Sequence, residues 1–264
     1  MKLTLFAILS VATSVFGQQG GTGPYKAWYK TDPGLPNHTI YLPVPDQHPA
    51  SMPVLLWGNG ACSANGLDFQ KFLTNVASQG VIVIANGRPG GQGSSNNQWM
   101  HDALRWVRQN AGKTWPYERV DASRVAAAGM SCGGVEAYEM RNSGVVGIGI
   151  FNSGLLDGNN RARIMSEVKA PIFYFMGGPS DIAYQNAEQD YRLVPGNVAS
   201  WKGNLNVGHG GTYQDNEGGK FGWAAVNWVK WVLRQDVSGR AFFTEGGAQR
   251  DGWQVESKRL DLIR

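Results

Sequence analysis

In this 264-residue chain, the residue types suited to nucleophilic chemistry are few: a serine between glycines, in Gly129-Met130-Ser131-Cys132-Gly133, and four histidines, at 38, 48, 101 and 209. A serine hydroxyl attacks a carbonyl carbon only when an imidazole takes its proton, and the imidazole needs a carboxylate to orient it. The run "VAAAGM" before Ser131 reads as a buried strand, and "GGVEAYEMRN" after it reads as a helix. Ser131 is therefore expected on a sharp strand-to-helix turn, where the glycines permit a strained conformation and a close approach of backbones. The start of the helix also directs free N–H groups and its dipole at charge forming beside the hydroxyl. Glycine and serine are common here, so the motif gains meaning from the strand-turn-helix setting rather than from its letters.

In that setting the partners follow the serine in the order acid, then histidine. Only His209, in "NVGHGGTY", follows Ser131, and its glycine-rich loop lies between the last central strand and the last long helix. Asp181, in "GGPSDIAY", comes shortly after a buried apolar run and is the expected acid; Asp157, in "NSGLLDGNN", is the alternative. Asp181 also suits a helix cap, a common use of Asp after Pro-Ser. The oxyanion of a tetrahedral intermediate needs two donors. The backbone N–H groups of Cys132 and of Asn59, in "WGNGAC", are expected to supply them, with Gly60 as the alternative to Asn59. Both loops must converge on one oxygen atom, which brings Cys62 and Cys132 together as a disulfide.

These residues need a scaffold that gathers them at one edge. "YKAWY" and "HTIYLPV" read as two strands joined by the Pro- and Gly-containing turn "TDPGLPN", the antiparallel start of a sheet. "MPVLLWGNG", "VIVIANG", "SRVAAAGMS", "VVGIGIFNSG", "PIFYFMGG" and "VASWKGNLN" are short apolar strands, and helical patterns separate most of them, in "LDFQKFLTNVASQG", "WMHDALRWVRQNAG" and "GGVEAYEMRN". Strand-helix alternation predicts an α/β fold with a mostly parallel twisted sheet covered by helices on both faces. A long helix, "KFGWAAVNWVKWVLRQD", follows the His209 loop, with Trp223, Trp228 and Trp231 expected in the core. The tail is expected to fold back through Phe242, Phe243 and Trp253.

Hydrophobic residues make up 42% of the chain and charged ones 17%, with 36 glycines and ten tryptophans. That composition belongs to a folded chain rich in turns and aromatic packing. The formal charge of +4 is scattered, with no basic run, so nucleic acid is not an expected partner. Residues 1–17, "MKLTLFAILSVATSVFG", carry one lysine, an apolar stretch too short to span a bilayer, and small residues at its end. They read as a secretory signal peptide ahead of a single domain over 18–264, with no membrane insertion expected. An extracellular location suits a disulfide, and Asn37-His38-Thr39 is a glycosylation sequon.

Taken together, the "WGNGACSANG" loop, the "GMSCGG" turn, the "GGPSDIAY" segment and the "GHGG" loop resemble the α/β-hydrolase superfamily over nearly the whole mature chain, and within it the secreted esterase-like branches related to dienelactone hydrolases, feruloyl esterases and polyester hydrolases. The resemblance implies Ser131 as nucleophile, His209 as base, Asp181 as acid and backbone donors at Asn59 and Cys132, with no metal or organic cofactor. It implies a monomeric carboxylic-ester hydrolase acting on short-acyl, aromatic or plant-polymer-linked esters. The alternatives are a polyester depolymerase and an inactive binding protein on the same scaffold. The segment "LLDGNNRARIMSEVKA" is too short for a long amphipathic lid, which weighs against large interfacial lipid substrates. Substrate contacts are expected from the loops "GRPGGQGSSNNQW", "FNSGLLDG" and "NEGGKFGW". Trp99, Tyr184 and Tyr213 are candidates for an aromatic wall or for packing.

Overall fold

Six short apolar runs, each too brief for a core helix and rich in Val, Ile and Phe, become the parallel centre of a nine-stranded sheet. The computed structural model describes residues 19–114 and 116–263. The expected leader over 1–17 lies outside the described residues. The strands are β1 (Ala27–Lys30), β2 (His38–Pro43), β3 (Met52–Gly58), β4 (Ile82–Asn86), β5 (Val120–Met130), β6 (Ile148–Phe151), β7 (Ile172–Met176), β8 (Ser200–Asn204) and β9 (Gln254–Lys258). Their spatial order is β1-β2-β4-β3-β5-β6-β7-β8-β9. β1 and β2 pair antiparallel, β2 joins β4 antiparallel, and the pairs from β4 through β8 are parallel. All parallel carboxyl ends therefore point to one edge, with β5 near the middle.

Alternate strand residues face two separate cores. Val54, Leu56, Ala127, Ile150 and Tyr174 pack on one side with helices α2 (Asn97–Asn110), α3 (Cys132–Glu139), α4 (Gly158–Ser166) and α5 (Tyr184–Leu193). Leu55, Trp57, Ala128, Phe151 and Phe175 pack on the other with α1 (Gln70–Ala77), α6 (Gly219–Trp228) and α7 (Arg240–Thr244). This is a mostly parallel α/β sheet flanked by helices. The second core is aromatic: Phe151 stacks on Phe175 with centroids 4.2 Å apart, and Trp57, Phe72, Tyr213 and Trp228 meet Phe151 at steep angles. Such tilted and offset contacts add to the apolar area these rings bury. Among the described residues, no helix is long and apolar enough to cross a membrane.

Three details differ from the sequence reading. Trp223 was expected in the core and is 50% exposed. On α6 the buried stripe runs through Phe221, Ala224, Ala225 and Trp228, at helical spacing, and Trp223 falls off it. The long final helix does not run uniformly to its end: α6 stops at Trp228 and a π-turn, Val229–Leu233, completes it. The tail does bury Phe242, Phe243 and Trp253, but it also adds β9, paired antiparallel with β8. β9 is largely exposed and has a weak apolar pattern, so only its partner strand makes it a strand.

His38, on β2, is buried in the first core, and its Nε2–H donates to the Trp99 carbonyl at 3.1 Å. Burial pulls its imidazole down to about 4, against the opposing influence of the Trp99 carbonyl, Asp102 and Asn86. Above about pH 6.5 the ring is neutral in both folded and unfolded chains. Below that, the unfolded chain takes up a proton that the folded chain refuses, so stability falls until the folded group itself titrates. His38→Gln is expected to remove roughly 2 kcal/mol of the stability difference between pH 7 and pH 5. Denaturant titrations at several pH values check this, and identical slopes for variant and wild type would count against it.

Candidate active site

β5 ends at Met130, and Ser131 follows with φ 52° and ψ −117° as the residue before α3. Such a conformation costs a non-glycine residue about 1–3 kcal/mol, and the surroundings enforce it. A Cβ on Gly133 would sit 2.0 Å from the Gly58 carbonyl oxygen, and one on Gly129 would sit 2.2 Å from that of Gly133. Strand β3, strand β5 and helix α3 thus touch backbone to backbone, as the two glycines of the motif require. The Ser131 N–H donates to the Phe151 carbonyl at 3.0 Å, and its own carbonyl accepts from Gly134 N–H and from the Ser153 hydroxyl.

A serine before a helix ordinarily caps it, accepting an N–H from the first turn. Ser131 makes no such bond. Its hydroxyl lies instead 3.0 Å from His209 Nε2. His209 Nδ1–H donates to Asp181 Oδ1 at 2.6 Å, which leaves Nε2 as the acceptor for the Ser131 proton. The hydroxyl, imidazole and carboxylate form one continuous chain across 78 residues of sequence.

Each partner is fixed by its loop. Beyond β8, Val207 and Gly208 N–H groups both donate to the Gly177 carbonyl, at 3.0 and 2.8 Å, and hold the His209 loop against the end of β7. The Asp181 side chain is fully buried. Its Oδ2 accepts from Gly177 N–H and Asn152 Nδ2, and its Oδ1 from Ala183 N–H as well as from His209. Donors to all sides satisfy a buried carboxylate without a cationic neighbour. The Ala183 bond closes a turn ahead of α5, whose N-cap is Ala183 with no side-chain cap bond, so Asp181 is not the helix cap that its position after Pro-Ser suggested. Asp157 is exposed and away from the imidazole: it caps α4, accepting from Asn159 N–H at 2.8 Å.

On the opposite side of Ser131, Cys132 is the first residue of α3, whose N–H has no intrahelical acceptor. The Asn59 carbonyl accepts from Gly133 N–H at 3.0 Å, placing the backbone of the loop after β3 beside the turn. The Asn59 amide is not part of that face; its Nδ2 serves the carbonyls of Ser63, Asn65 and Asn86 and holds the loop in shape. Cys62 and Cys132 form a disulfide with Cα atoms 5.1 Å apart, tying this loop to the residue after the serine. Beneath it, buried Glu136 of α3 accepts from Asn86 Nδ2 and Ser95 Oγ, both at 2.8 Å, while Ser95 N–H donates to the Cys62 carbonyl. Burial raises the Glu136 carboxyl above its usual range, and the Ser95 and Asn86 donors offset part of that rise.

Two contributors were not legible as such. Asn152, at the end of β6, has φ 42° and spans the site: Nδ2 donates to Asp181 Oδ2 at 2.8 Å, and Oδ1 accepts from the Tyr213 hydroxyl. The sequence marked "FNSGLLDG" only as a substrate loop; the one available signal was an asparagine, tolerant of positive φ, ending a buried strand. Tyr213 is buried and serves this hydrogen-bond chain rather than forming an aromatic wall. Trp99 is half-buried and lines a separate cleft with Arg88 and Ser94, and Tyr184 is half-buried at the start of α5. Of the other histidines, His48 Nε2 bonds the Pro43 carbonyl and His101 lies on α2. Among the described residues, no three His, Cys, Asp or Glu side chains are grouped to hold a metal ion. No family model matches the chain, and no curated protein matches its sequence.

Two outcomes follow from this arrangement. Asn152→Ala should slow covalent labelling of Ser131 by a sulfonyl fluoride about tenfold, as expected for loss of one charge-assisted hydrogen bond, with Tyr213→Phe having a smaller effect. Labelling rates equal to wild type in both variants would remove Asn152 from the site. Replacing both cysteines by serine should lower stability by about 2–4 kcal/mol, because the 70-residue loop they close is long; thermal unfolding with and without reductant measures it.

Proposed function

We propose that this chain is a serine hydrolase of the α/β-hydrolase type that cleaves carboxylic esters through an acyl-enzyme. The observation that carries the reading is the unbroken contact from Ser131 Oγ to His209 Nε2 to Asp181 Oδ1, at 3.0 and 2.6 Å. The order of the elements supports it: nucleophile after the central β5, acid after β7 and base after β8, on a sheet whose strands run β1-β2-β4-β3-β5-β6-β7-β8 before the added edge. The proposed location is extracellular, and the Cys62–Cys132 disulfide supports it.

In the reaction, Ser131 Oγ bonds to the ester carbonyl carbon as its proton passes to His209 Nε2. Asp181, accepting from Nδ1–H, holds the ring in the right tautomer and stabilises the imidazolium. The carbonyl oxygen, now negative, takes hydrogen bonds from the Cys132 backbone N–H and from the N–H of Asn59. When the carbonyl re-forms, the bond to the alcohol breaks, and the alcohol leaves with the proton from Nε2. Water then repeats the sequence: its proton goes to Nε2, its oxygen bonds the acyl carbon, and Ser131 leaves with that proton as the free acid forms. The His209 side chain is 26% exposed, so the reacting atoms are reachable from solvent. Short-acyl, aromatic or polymer-linked esters are the proposed substrates.

A panel of chromogenic esters of increasing acyl length, with feruloyl and acetyl-sugar esters, tests the reading on wild type and Ser131→Ala. Wild type is expected to hydrolyse part of the panel, and the substitution to lower kcat/KM at least about a thousandfold. Hydrolysis that survives it would reject the mechanism. A wild type inert on every ester, with the fold intact, would favour a binding protein on this scaffold.

A further inference from the structure

We infer that Glu136 is held as the neutral acid and is a positioning residue for the oxyanion hole, through a relay in which Glu136 Oε1–H donates to Ser95 Oγ and Ser95 Oγ–H donates to the Cys62 carbonyl. Its role in turnover rests on the ester-hydrolase reading above. The observation behind it is a count of protons. Ser95 Oγ lies 2.8 Å from Glu136 Oε1 and 3.1 Å from the Cys62 carbonyl oxygen. A hydroxyl has one proton to give, so beside an ionised carboxylate one of these two contacts would set oxygen lone pairs against each other. Hydrogen positions follow from the pattern of heavy atoms, and a proton on Oε1 makes both contacts hydrogen bonds. Oε2 is then the carbonyl oxygen of the acid, and it accepts from Asn86 Nδ2 at 2.8 Å.

The surroundings favour the neutral form. Glu136 is 1% exposed, and its Oε2 is packed so closely under the end of β3 that a Cβ on Gly58 would lie 2.7 Å from it. Among the described residues its polar partners are Asn86 and Ser95, both uncharged, and no cation pairs with it. A carboxyl buried without a cation keeps its proton rather than bear the cost of an unsolvated charge. His38 faces Asn86 across the β2–β4 pair and is itself neutral well above pH 4, so it supplies no compensating charge. A carboxylate here would also stand one helical turn behind the Cys132 N–H, where the proposed reaction places a negative oxygen.

The relay ends on a loop that needs holding. Ala61 and Cys62 have φ 53° and 49°, a conformation that residues other than glycine keep only where their surroundings impose it. The Cys62 carbonyl takes both donors of one residue, Ser95 N–H at 2.7 Å and Ser95 Oγ–H. Asn86, which donates its amide to Glu136, accepts from Asn59 Nδ2 at 2.7 Å through its own backbone carbonyl. Glu136 is thus joined, through one residue on either side, to both ends of the segment 59–62 that carries the second oxyanion donor of the proposed reaction. The disulfide fixes where the Cys62 side chain lies. The relay fixes which way its peptide group is turned.

Infrared difference spectra of wild type against Glu136→Gln read the protonation state. A protonated-carboxyl band that shifts in deuterated water is expected at neutral pH, and its absence would overturn the inference. Kinetics on p-nitrophenyl acetate read the role. Glutamine is neutral and both donates and accepts, so it reproduces the relay, and Glu136→Gln is expected to stay close to wild type. Glu136→Ala and Ser95→Ala are each expected to lower kcat about thirtyfold, part of the hundredfold or more that outright loss of an oxyanion donor costs. KM should not change, and a trifluoromethyl ketone inhibitor should bind more weakly by the same factor as the loss in kcat. The double variant should be no slower than either single one, because both break the same chain. A glutamine variant as slow as the alanine one, losses that add, or a loss carried by KM would overturn the relay. Should Glu136→Ala fail to fold, Ser95→Ala and the infrared band carry the test. A wild type that hydrolyses no ester would instead defeat the ester-hydrolase reading. The band would then still decide the protonation state, and amide hydrogen exchange over residues 59–62, expected to be faster in Ser95→Ala than in wild type, would decide whether the relay holds the loop; unchanged exchange would overturn it.

Discussion

The site depends on a backbone contact. Where β3, β5 and α3 meet, Gly58, Gly129 and Gly133 leave no room for a single Cβ, and a chain that leaves β5 and enters α3 within one residue must put that residue at positive φ. Ser131 is that residue. In a relaxed cap its hydroxyl would turn back onto the helix; held at φ 52° it projects outward to the imidazole. Bonds to Phe151 and Ser153 and the disulfide at the next residue hold the conformation in place. The strain is local, and the packing that offsets it spans two strands and a helix.

A second strained residue does comparable work across the site. Asn152, at φ 42°, ends β6 as Ser131 ends the adjacent β5, and its amide reaches Asp181 where a strand-like conformation would point it elsewhere. The acid is satisfied by backbone N–H groups and this amide, not by an arginine or lysine. In the proposed reaction, a cage of neutral donors leaves the carboxylate free to stabilise a developing imidazolium, whereas a cation in contact would compete for it. The charged pair nearby, Arg161 with Asp190, is used to hold the Leu155 backbone instead.

Much of this was legible along the chain. Short apolar runs ending in glycine read as buried parallel strands because strands covered on both faces need no polar alternation. His209 was found by elimination, being the one histidine after Ser131. The near-edge features read less well. Trp223 follows its tryptophan neighbours in type but not in helical phase, and β9 lacks an apolar pattern because half its hydrogen bonds and one face remain in water. Asn152, Glu136 and Asn86 carry no signature, since an amide or carboxyl that bonds a partner 29 to 50 residues away looks the same in sequence as one that faces solvent.

The amino-acid order by itself determined which segments form strands and helices, their alternation, and the small set of side chains able to move a proton, because periodicity, glycine placement and residue chemistry are local properties. The tertiary structure decided which carboxylate faces the imidazole: Asp181 and Asp157 both follow central strands, and only the folding of their loops buries one beside His209 and leaves the other capping α4 in water. It also decided what surrounds that site, the Asn152 bridge and the Glu136 clamp, since those contacts join loops whose proximity is set by the order of strands in the sheet, a quantity no single stretch of sequence contains.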